Sequence, residues 1–221
     1  MFLPYKDDNP RVMIPYVTYA LVGINIFVFF VEILITPELR VNLIKFYGIV
    51  PKLTSIDFGH YVITLFTSMF LHGGFMHLFG NMLYLWIFAD NVESILGHTK
   101  FIIFYLTCGI AAGLLQTVIE PTSVVPIVGA SGAIAGVLGA YMITFPRARV
   151  HTIIFIIFYF TIVRIPALYV LGFWLLIQLT NGLGTLGINT TGGVAWFAHI
   201  GGFTTGVALI RGLKMIQIVR R

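Results

Sequence analysis

The sequence predicts an all-α integral membrane protein, a bundle of six transmembrane helices with a long, partly inserted first loop. Of its 221 residues, 58% are hydrophobic and only 10% are charged, whereas soluble domains carry about 25% charged residues. The mean hydropathy is +0.98. Apolar runs long enough to cross roughly 30 Å of hydrocarbon also recur along the chain. These observations leave little of the sequence for a soluble domain.

Six apolar segments are predicted to cross the membrane: residues 13–35, 76–95, 101–119, 131–145, 167–180 and 194–213. They form one domain over residues 13–213, between a short cytoplasmic N-terminus, 1–12, and a basic cytoplasmic C-terminus, 214–221. Residues 36–75 are too interrupted by prolines and charges for a span. We expect this loop to place helices in the membrane interface.

The fourth span is unusually short. Pro121 and Pro126 delay its start until about Ser131, and Pro146 ends it. Fifteen helical residues cover about 22 Å, which is less than the hydrocarbon thickness. The helix should therefore begin inside the membrane, below non-helical backbone at 122–130. Such backbone is tolerated at depth where protein buries it or water reaches it, so we expect a water-filled cavity near Ser131.

Two connections and the charge pattern complete the predicted topology. Residues 150–163 are apolar but short, which favours an interfacial or partly inserted connector, and the uncharged loop 181–193 could cap a site. Ten of the thirteen Lys and Arg residues fall on the side of the two termini, which places both termini in the cytoplasm. With no organelle signal in the sequence, we expect the plasma membrane of a bacterium or archaeon.

Ser131 lies in the string Gly129-Ala130-Ser131-Gly132, at the expected start of a helix. The backbone N–H groups of a helix N-terminus lack intrahelical partners and could bind an oxyanion that forms beside the serine. Gly129 and Gly132 would allow close approach of a substrate backbone. The alternative is an N-capping serine or a small packing residue, and this motif by itself favours that alternative.

His199 is the one ionisable side chain, apart from the hydroxyl of Tyr169, between Ile165 and Ile210. Such a residue in a membrane span is a candidate functional group. His199, Gly202 and Gly206 share a helix face, and Gly132 and Gly136 form a similar small-residue pair. Close packing of these two helices would bring His199 toward Ser131. A histidine that serves packing alone is an equally good reading.

A third cluster comprises His72, His77 and Asn81. His77 and Asn81 are four residues apart and share a helix face, so their N–H groups could stabilise an oxyanion. The cluster lacks the His-Glu-x-x-His zinc pattern, and we expect neither a metal nor another cofactor. His72 precedes a Gly-Gly break and is expected to tie the first loop to the second span.

The acidic residues are poorly placed to orient His199. Asp90 and Glu93 follow Asn81 by nine and twelve residues, about 14 and 18 Å along the helix, and lie toward the cytoplasmic end. The sequence therefore indicates a Ser/His dyad without a carboxylate.

Together the strings from His72 to Asn81, from Gly129 to Gly132 and from Ala198 to Gly206 resemble the three signatures of the rhomboid intramembrane proteases, in the same order and on corresponding helices. The resemblance implies Ser131 as nucleophile and His199 as general base. It also implies an oxyanion site formed by Asn81, His77 and the backbone N–H of Ser131, and a structural role for Glu93.

Two features depart from the family pattern. Some rhomboids have a Trp-Arg pair in the first loop, and this sequence has none. Some place an aromatic residue four positions after the serine, against the histidine, whereas this chain has Ala135 there. The resting position of His199 is therefore left open.

The resemblance implies a serine endopeptidase that cleaves single-span membrane proteins near the extracytoplasmic end of their helix, with Phe173 and Trp174 on a gate helix. The first alternative is a rhomboid-like protein that binds transmembrane segments without cutting them. The second is a small transporter or channel, which would need charged groups in several spans. Nucleic acid is not an expected partner, because the basic residues lie at span ends. The sequence leaves the oligomeric state open.

Overall fold

The computed structural model describes residues 2–156, 159–186 and 193–219. Six long helices correspond to the six predicted spans: α1 (Tyr16–Leu34), α4 (Phe75–Leu96), α5 (His98–Ile119), α6 (Ser131–Thr144), α7 (Ala167–Thr185) and α8 (Trp196–Val219). Among them α1, α5 and α7 are individually long and apolar enough to cross a membrane. The predicted multi-span helical membrane fold is confirmed.

The first loop contains two short helices, α2 (Pro37–Tyr47) and α3 (Phe58–Thr67). Thr36 caps α2 by accepting a hydrogen bond from the backbone N–H of Leu39, and Asp57 caps α3 in the same way. The segment Phe58–Phe70 meets α4 at 81°. The chain therefore turns sharply across residues 71–74, which include the Gly73-Gly74 pair just before α4.

The non-helical backbone predicted at 122–130 is held by this first loop. The main chains of Ile49 and Ile127 exchange two hydrogen bonds, of 3.1 and 2.8 Å, and the N–H of Gly129 donates to the carbonyl of Ser68 at 2.9 Å. Pairing with protein meets the requirement for satisfied backbone groups within the membrane region. It also fixes the chain immediately before α6.

A three-stranded antiparallel sheet is present that the sequence reading did not predict. It comprises β1 (Phe2–Asp7), β2 (Arg149–Ile156) and β3 (Tyr159–Pro166), in the order β1-β2-β3. The expected interfacial connector is thus a β-hairpin, and the N-terminal segment adds the third strand. The hairpin is rich in β-branched and aromatic residues, which favour strands, but hydropathy alone does not distinguish a short apolar strand from a helix. Pro4 is accommodated because β1 is an edge strand with a register shift beside it.

The core of the bundle is the close contact between α6 and α8. A β-carbon at Gly202 would lie 1.9 Å from the carbonyl oxygen of Gly132, and one at Gly206 would lie 2.0 Å from that of Gly136. The absence of side chains at these positions therefore lets the two backbones touch. The missing β-carbon of Gly132 also faces Ala112 of α5 at 2.6 Å, so Gly132 supports helix packing.

Glu93, near the end of α4, connects that helix to the start of α1 and the start of α5. Its buried carboxylate accepts hydrogen bonds from the backbone N–H groups of Val17 and Thr18, at 3.0 and 2.8 Å, and from the Thr18 hydroxyl at 2.6 Å. Its Oε1 also lies 2.6 Å from Nδ1 of His98. Glu93 thus satisfies the first turn of α1, whose N–H groups have no intrahelical partner. Its contacts are far from His199, as the helix spacing indicates.

The predicted end of the fifth span and the predicted loop after it differ from the structure. Helix α7 continues five residues beyond the predicted end, to Thr185. Asn181 to Thr185 are therefore helical, and residues 187–192 of the expected capping loop lie outside the described residues.

Candidate active site

Ser131 and His199 are brought together across the contact between α6 and α8. Nε2 of His199 lies 2.8 Å from Oγ of Ser131, which is within hydrogen-bonding range. Ser131 is the first residue of α6, and His199 is in the first turn of α8. The contacts of Gly202 with Gly132 and of Gly206 with Gly136 set this spacing, because a side chain at either position would separate the backbones.

The hydroxyl of Ser131 points to His199 instead of capping its own helix. The residue at the N-cap position is Ala130, and α6 begins with no side-chain capping hydrogen bond in the described chain. The N–H groups of the first turn are thus left to face the space above the helix. This geometry is unlike that of the N-capping serine that the motif alone would favour.

Gln178 of α7 contacts the other side of the imidazole ring. Its Oε1 lies 2.8 Å from Nδ1 of His199, and its Nε2 donates a 3.1 Å hydrogen bond to the carbonyl of Trp174. Its side chain is buried, with 4% exposure. The sequence indicated a dyad without a carboxylate, and this neutral partner of His199 was not predicted.

Two tryptophans lie beside the ring of His199. Ring centroids of Trp174 and Trp196 lie 5.7 and 6.4 Å from that of His199. Trp174 also stacks on Phe203. These aromatic contacts to His199 come from α7 and from α8 itself.

His77 lies beside the backbone that leads into Ser131. Gly129 has a φ of 120°, a conformation that favours glycine, and a β-carbon there would lie 2.7 Å from Nε2 and Cε1 of His77. The N–H of Gly73 lies 3.4 Å from Nδ1 of His77. If Nδ1 accepts from Gly73, the proton of the neutral ring is on Nε2, the edge that faces Gly129.

Asn81 lies between His72 and Gly129. The amide Nδ2 of Asn81 lies 3.0 Å from Nε2 of His72, and 3.4 Å from where a β-carbon of Gly129 would be. An amide carries two N–H donors, so one can bond to His72 while the second is directed toward Gly129. His72 is fully buried and holds Asn81, consistent with the expected structural role.

The His72 backbone is itself held from two sides. Its N–H donates to Oε1 of Glu32 on α1 at 3.1 Å, and its carbonyl accepts from Nη2 of Arg40 on α2 at 3.2 Å. Nε of Arg40 is 3.9 Å from Oε2 of Glu32. Neither residue was singled out in the sequence, although a glutamate near the end of an apolar span is a signal for a polar contact.

Another buried amide fixes the start of α8. Oε1 of Gln116 on α5 accepts a 3.0 Å hydrogen bond from the backbone N–H of Ala198, the residue before His199. This contact was not predicted either. A buried amide in an otherwise apolar span is the signal that could have revealed both glutamines.

These groups surround a cavity of about 870 Å³ whose lining includes Ser131, His199, His77, Asn81 and Trp174. The cavity lies where α4, α6 and α8 begin, at the end of the bundle opposite the β-sheet. Within the described residues, no group of three or more His, Cys, Asp or Glu is arranged to hold a metal ion. The arrangement is suited to acyl transfer, with a hydroxyl beside an imidazole and several N–H donors nearby.

Fold and cavity together define a multi-span helical membrane protein with a serine and a histidine paired between helices. The family model of the Rhomboid domain matches residues 59–215, which is more than half of the chain. The protein belongs to the rhomboid family.

The matched relatives include two proteins that are named as mitochondrial. The chain is 33% identical over 155 residues to "Rhomboid protein 1, mitochondrial" of Saccharomyces cerevisiae, over 68% of this chain and 42% of that protein. It is 41% identical over 78 residues to "Putative rhomboid protease YdcA" of Bacillus subtilis, over 35% of this chain and 39% of that protein. It is 34% identical over 96 residues to the human "Presenilin-associated rhomboid-like protein, mitochondrial", over 42% of this chain and 25% of that protein. Each match spans less than half of the relative's length. Because two of these relatives are named as mitochondrial, the comparisons do not support the expected bacterial or archaeal plasma membrane.

Proposed function

We propose that this rhomboid-family membrane protein is a serine endopeptidase that cleaves transmembrane helices of single-span membrane proteins near their extracytoplasmic end. The observation that carries the proposal is the 2.8 Å approach of His199 Nε2 to Ser131 Oγ within a cavity of about 870 Å³. Family membership supports it, and one matched relative is named as a rhomboid protease.

Ser131 Oγ attacks the scissile carbonyl carbon while its proton passes to Nε2 of His199. The resulting oxyanion is stabilised by the backbone N–H of Ser131 and by N–H groups of His77 and Asn81, each worth about 10²–10³ in kcat where single donors have been removed. Collapse breaks the peptide bond, and the leaving amine takes the proton from His199. An acyl-enzyme on Ser131 is left.

Water then hydrolyses the acyl-enzyme. It gives a proton to His199, attacks the ester carbonyl, and the proton returns to Ser131 as the acid product leaves. The cavity supplies this water at the end of the bundle opposite the termini. Because α6 has 14 residues, it covers about 21 Å, and Ser131 lies below the membrane surface if the other end of α6 lies at the opposite surface.

The substrate class follows from the depth of the site. A transmembrane helix keeps its amides in hydrogen bonds and must unwind before one can be attacked, so Gly, Ser or Pro near its outer end should favour cleavage. We propose α7, with Phe173 and Trp174, as the gate. Both α7 and α1 are less buried than α5, 28% each against 44%, so both lie at the edge of the bundle, and α7 is the one that carries Trp174 against His199.

The test is cleavage of a panel of single-span substrates in liposomes by the wild type, Ser131→Ala and His199→Ala. Ser94→Ala is the matched control, because its hydroxyl donates to the Asp90 carbonyl on α4, far from the cavity. We expect both site variants to lose about 10³-fold or more in kcat while remaining folded, and the control to cleave normally.

A fluorophosphonate probe tests the nucleophile without a substrate. It should label the wild type and Ser94→Ala but not Ser131→Ala. A folded wild type that binds transmembrane segments, cleaves none of them and resists the probe would instead support the non-cleaving rhomboid-like binder.

A further inference from the structure

We propose that Gln178 is a positioning residue that holds His199 in the tautomer required of a general base. The inference rests on the proposed protease function, and it adds a neutral positioning residue to the Ser/His dyad. The three belong to different helices, Ser131 to α6, His199 to α8 and Gln178 to α7.

The direction of the Gln178 amide follows from its second contact. Its two polar atoms differ, because the oxygen accepts hydrogen bonds and the nitrogen donates them. The atom 3.1 Å from the Trp174 carbonyl must be the nitrogen, since a carbonyl oxygen can only accept. The atom 2.8 Å from His199 Nδ1 is therefore the oxygen.

The tautomer of His199 follows in turn. An amide oxygen can bond to Nδ1 only if Nδ1 carries a hydrogen, so the single proton of a neutral imidazole is on Nδ1. The lone pair is then on Nε2, the atom 2.8 Å from Ser131 Oγ. This is the arrangement that a base needs to remove the serine proton, and the reversed tautomer would offer a donor instead.

Gln178 differs from the carboxylate of a Ser-His-Asp triad in what it provides to the histidine. Its oxygen fixes the ring direction and the tautomer, and it carries no formal charge to stabilise an imidazolium. A neutral orienting group avoids placing an unpaired carboxylate in the apolar bundle, where a buried charge is costly. Because Gln178 belongs to the proposed gate helix, displacement of α7 would also break the bond that orients His199.

The variants are Gln178→Met, which keeps the length of the side chain but removes the amide, and Gln178→Glu, which retains an oxygen facing Nδ1. Thr180→Val is the control, because Thr180 is exposed on the same helix and its hydroxyl donates to carbonyls of α7 itself. We expect Gln178→Met to lose roughly 10- to 100-fold in kcat with little change in KM. Gln178→Glu should recover activity relative to Gln178→Met, and Thr180→Val should match the wild type.

A spectroscopic measurement reads the tautomer without any substrate. Imidazole ¹⁵N shifts of histidine-labelled protein in detergent, assigned with His199→Ala, should show the Nδ1–H form of His199 in the wild type and in Thr180→Val. The Gln178→Met variant should show the Nε2–H form or a mixture. If Gln178→Met does not fold, the same comparison is made with Gln178→Asn, whose amide is one methylene too short to reach Nδ1.

The outcomes separate this inference from the protease proposal. If the wild type has the Nδ1–H tautomer and Gln178→Met loses it, but the wild type neither cleaves nor reacts with fluorophosphonate, the protease is refuted while control of the tautomer by Gln178 is supported. A cleaving wild type whose Gln178→Met variant keeps both its tautomer and its kcat refutes the positioning role. Equal loss in Gln178→Met and Gln178→Glu, with the tautomer unchanged in both, also overturns it.

Discussion

The spacing between α6 and α8 gives a direct test of the active-site geometry, through the substitution Gly202→Ala. A β-carbon at Gly202 would lie 1.9 Å from the carbonyl oxygen of Gly132, whereas real β-carbons essentially never come closer than 3.0 Å. The two helices must therefore move apart by roughly 1.1 Å, because packed backbone has no space to absorb the methyl group.

This movement is large compared with the hydrogen bond that it disturbs. A separation of 1.1 Å added to the 2.8 Å between His199 Nε2 and Ser131 Oγ gives about 3.9 Å, beyond hydrogen-bonding range. A misplacement of about 1 Å can cost roughly 10²-fold in rate. Overpacking lowers the free energy of unfolding by about 1–3 kcal/mol, partly offset by the better helix propensity of alanine.

The assay compares kcat and KM for a single-span substrate in liposomes with the thermal unfolding midpoint in detergent. Gly212→Ala is the matched control, because it lies on α8 as well and a β-carbon there meets nothing within 4 Å. We expect Gly202→Ala to lose about 10²-fold in kcat and the control to be as active as the wild type. A stable Gly202→Ala protein with wild-type kcat would show that the helix spacing does not set the Ser131–His199 geometry.

Three further predictions concern other parts of the molecule. Asn81→Ala should lower kcat by about 10²–10³-fold with little change in KM, as measured by substrate cleavage, and an equal rise in KM instead would contradict an oxyanion role. Glu93→Gln should lower the free energy of unfolding by about 1–3 kcal/mol, because an amide nitrogen cannot accept from the Thr18 N–H; an unchanged unfolding midpoint would contradict the capping role. In the β-sheet, burial raises the pKa of Asp7 from 3.8 to about 6, despite the hydrogen bond that Tyr141 donates to it. Since the folded-state pKa is raised, the stabilisation by Asp7 is complete below pH 3.8 and is lost as the pH rises through about 6. Between pH 3.8 and about 6, the unfolding midpoint should therefore fall less in Asp7→Asn than in the wild type. The same pH dependence in both proteins would contradict the raised pKa of Asp7.

Local signals in the sequence were sufficient to predict the six apolar helices and the start of α6 at Ser131. Spans are encoded in runs of apolar residues, because lipid requires about 20 of them in succession. The prolines before Ser131 delay the start of α6, and that start exposes the N–H groups of its first turn. The candidate residues Ser131, His199, His77 and Asn81 were therefore identifiable from spacing and from the family motifs.

The β-sheet could not be derived in the same way. Strand β1 is separated from its partner β2 by more than 140 residues, and nothing local to either segment records that pairing. An apolar stretch such as 150–163 has the same hydropathy whether it forms a helix or a strand. The pairing with β1 becomes visible once the helices have brought the two segments together.

Sequence patterns alone located the apolar helices to within a few residues and identified polar residues that lie in them. The tertiary structure alone decided which of those polar residues meet. Gln178 reaches His199, and Glu32 and Arg40 reach the backbone of His72, because hydrogen bonds need atoms within about 3 Å and in the correct direction. Distances of that kind depend on helix spacing and side-chain rotamers, which linear spacing along a chain does not specify.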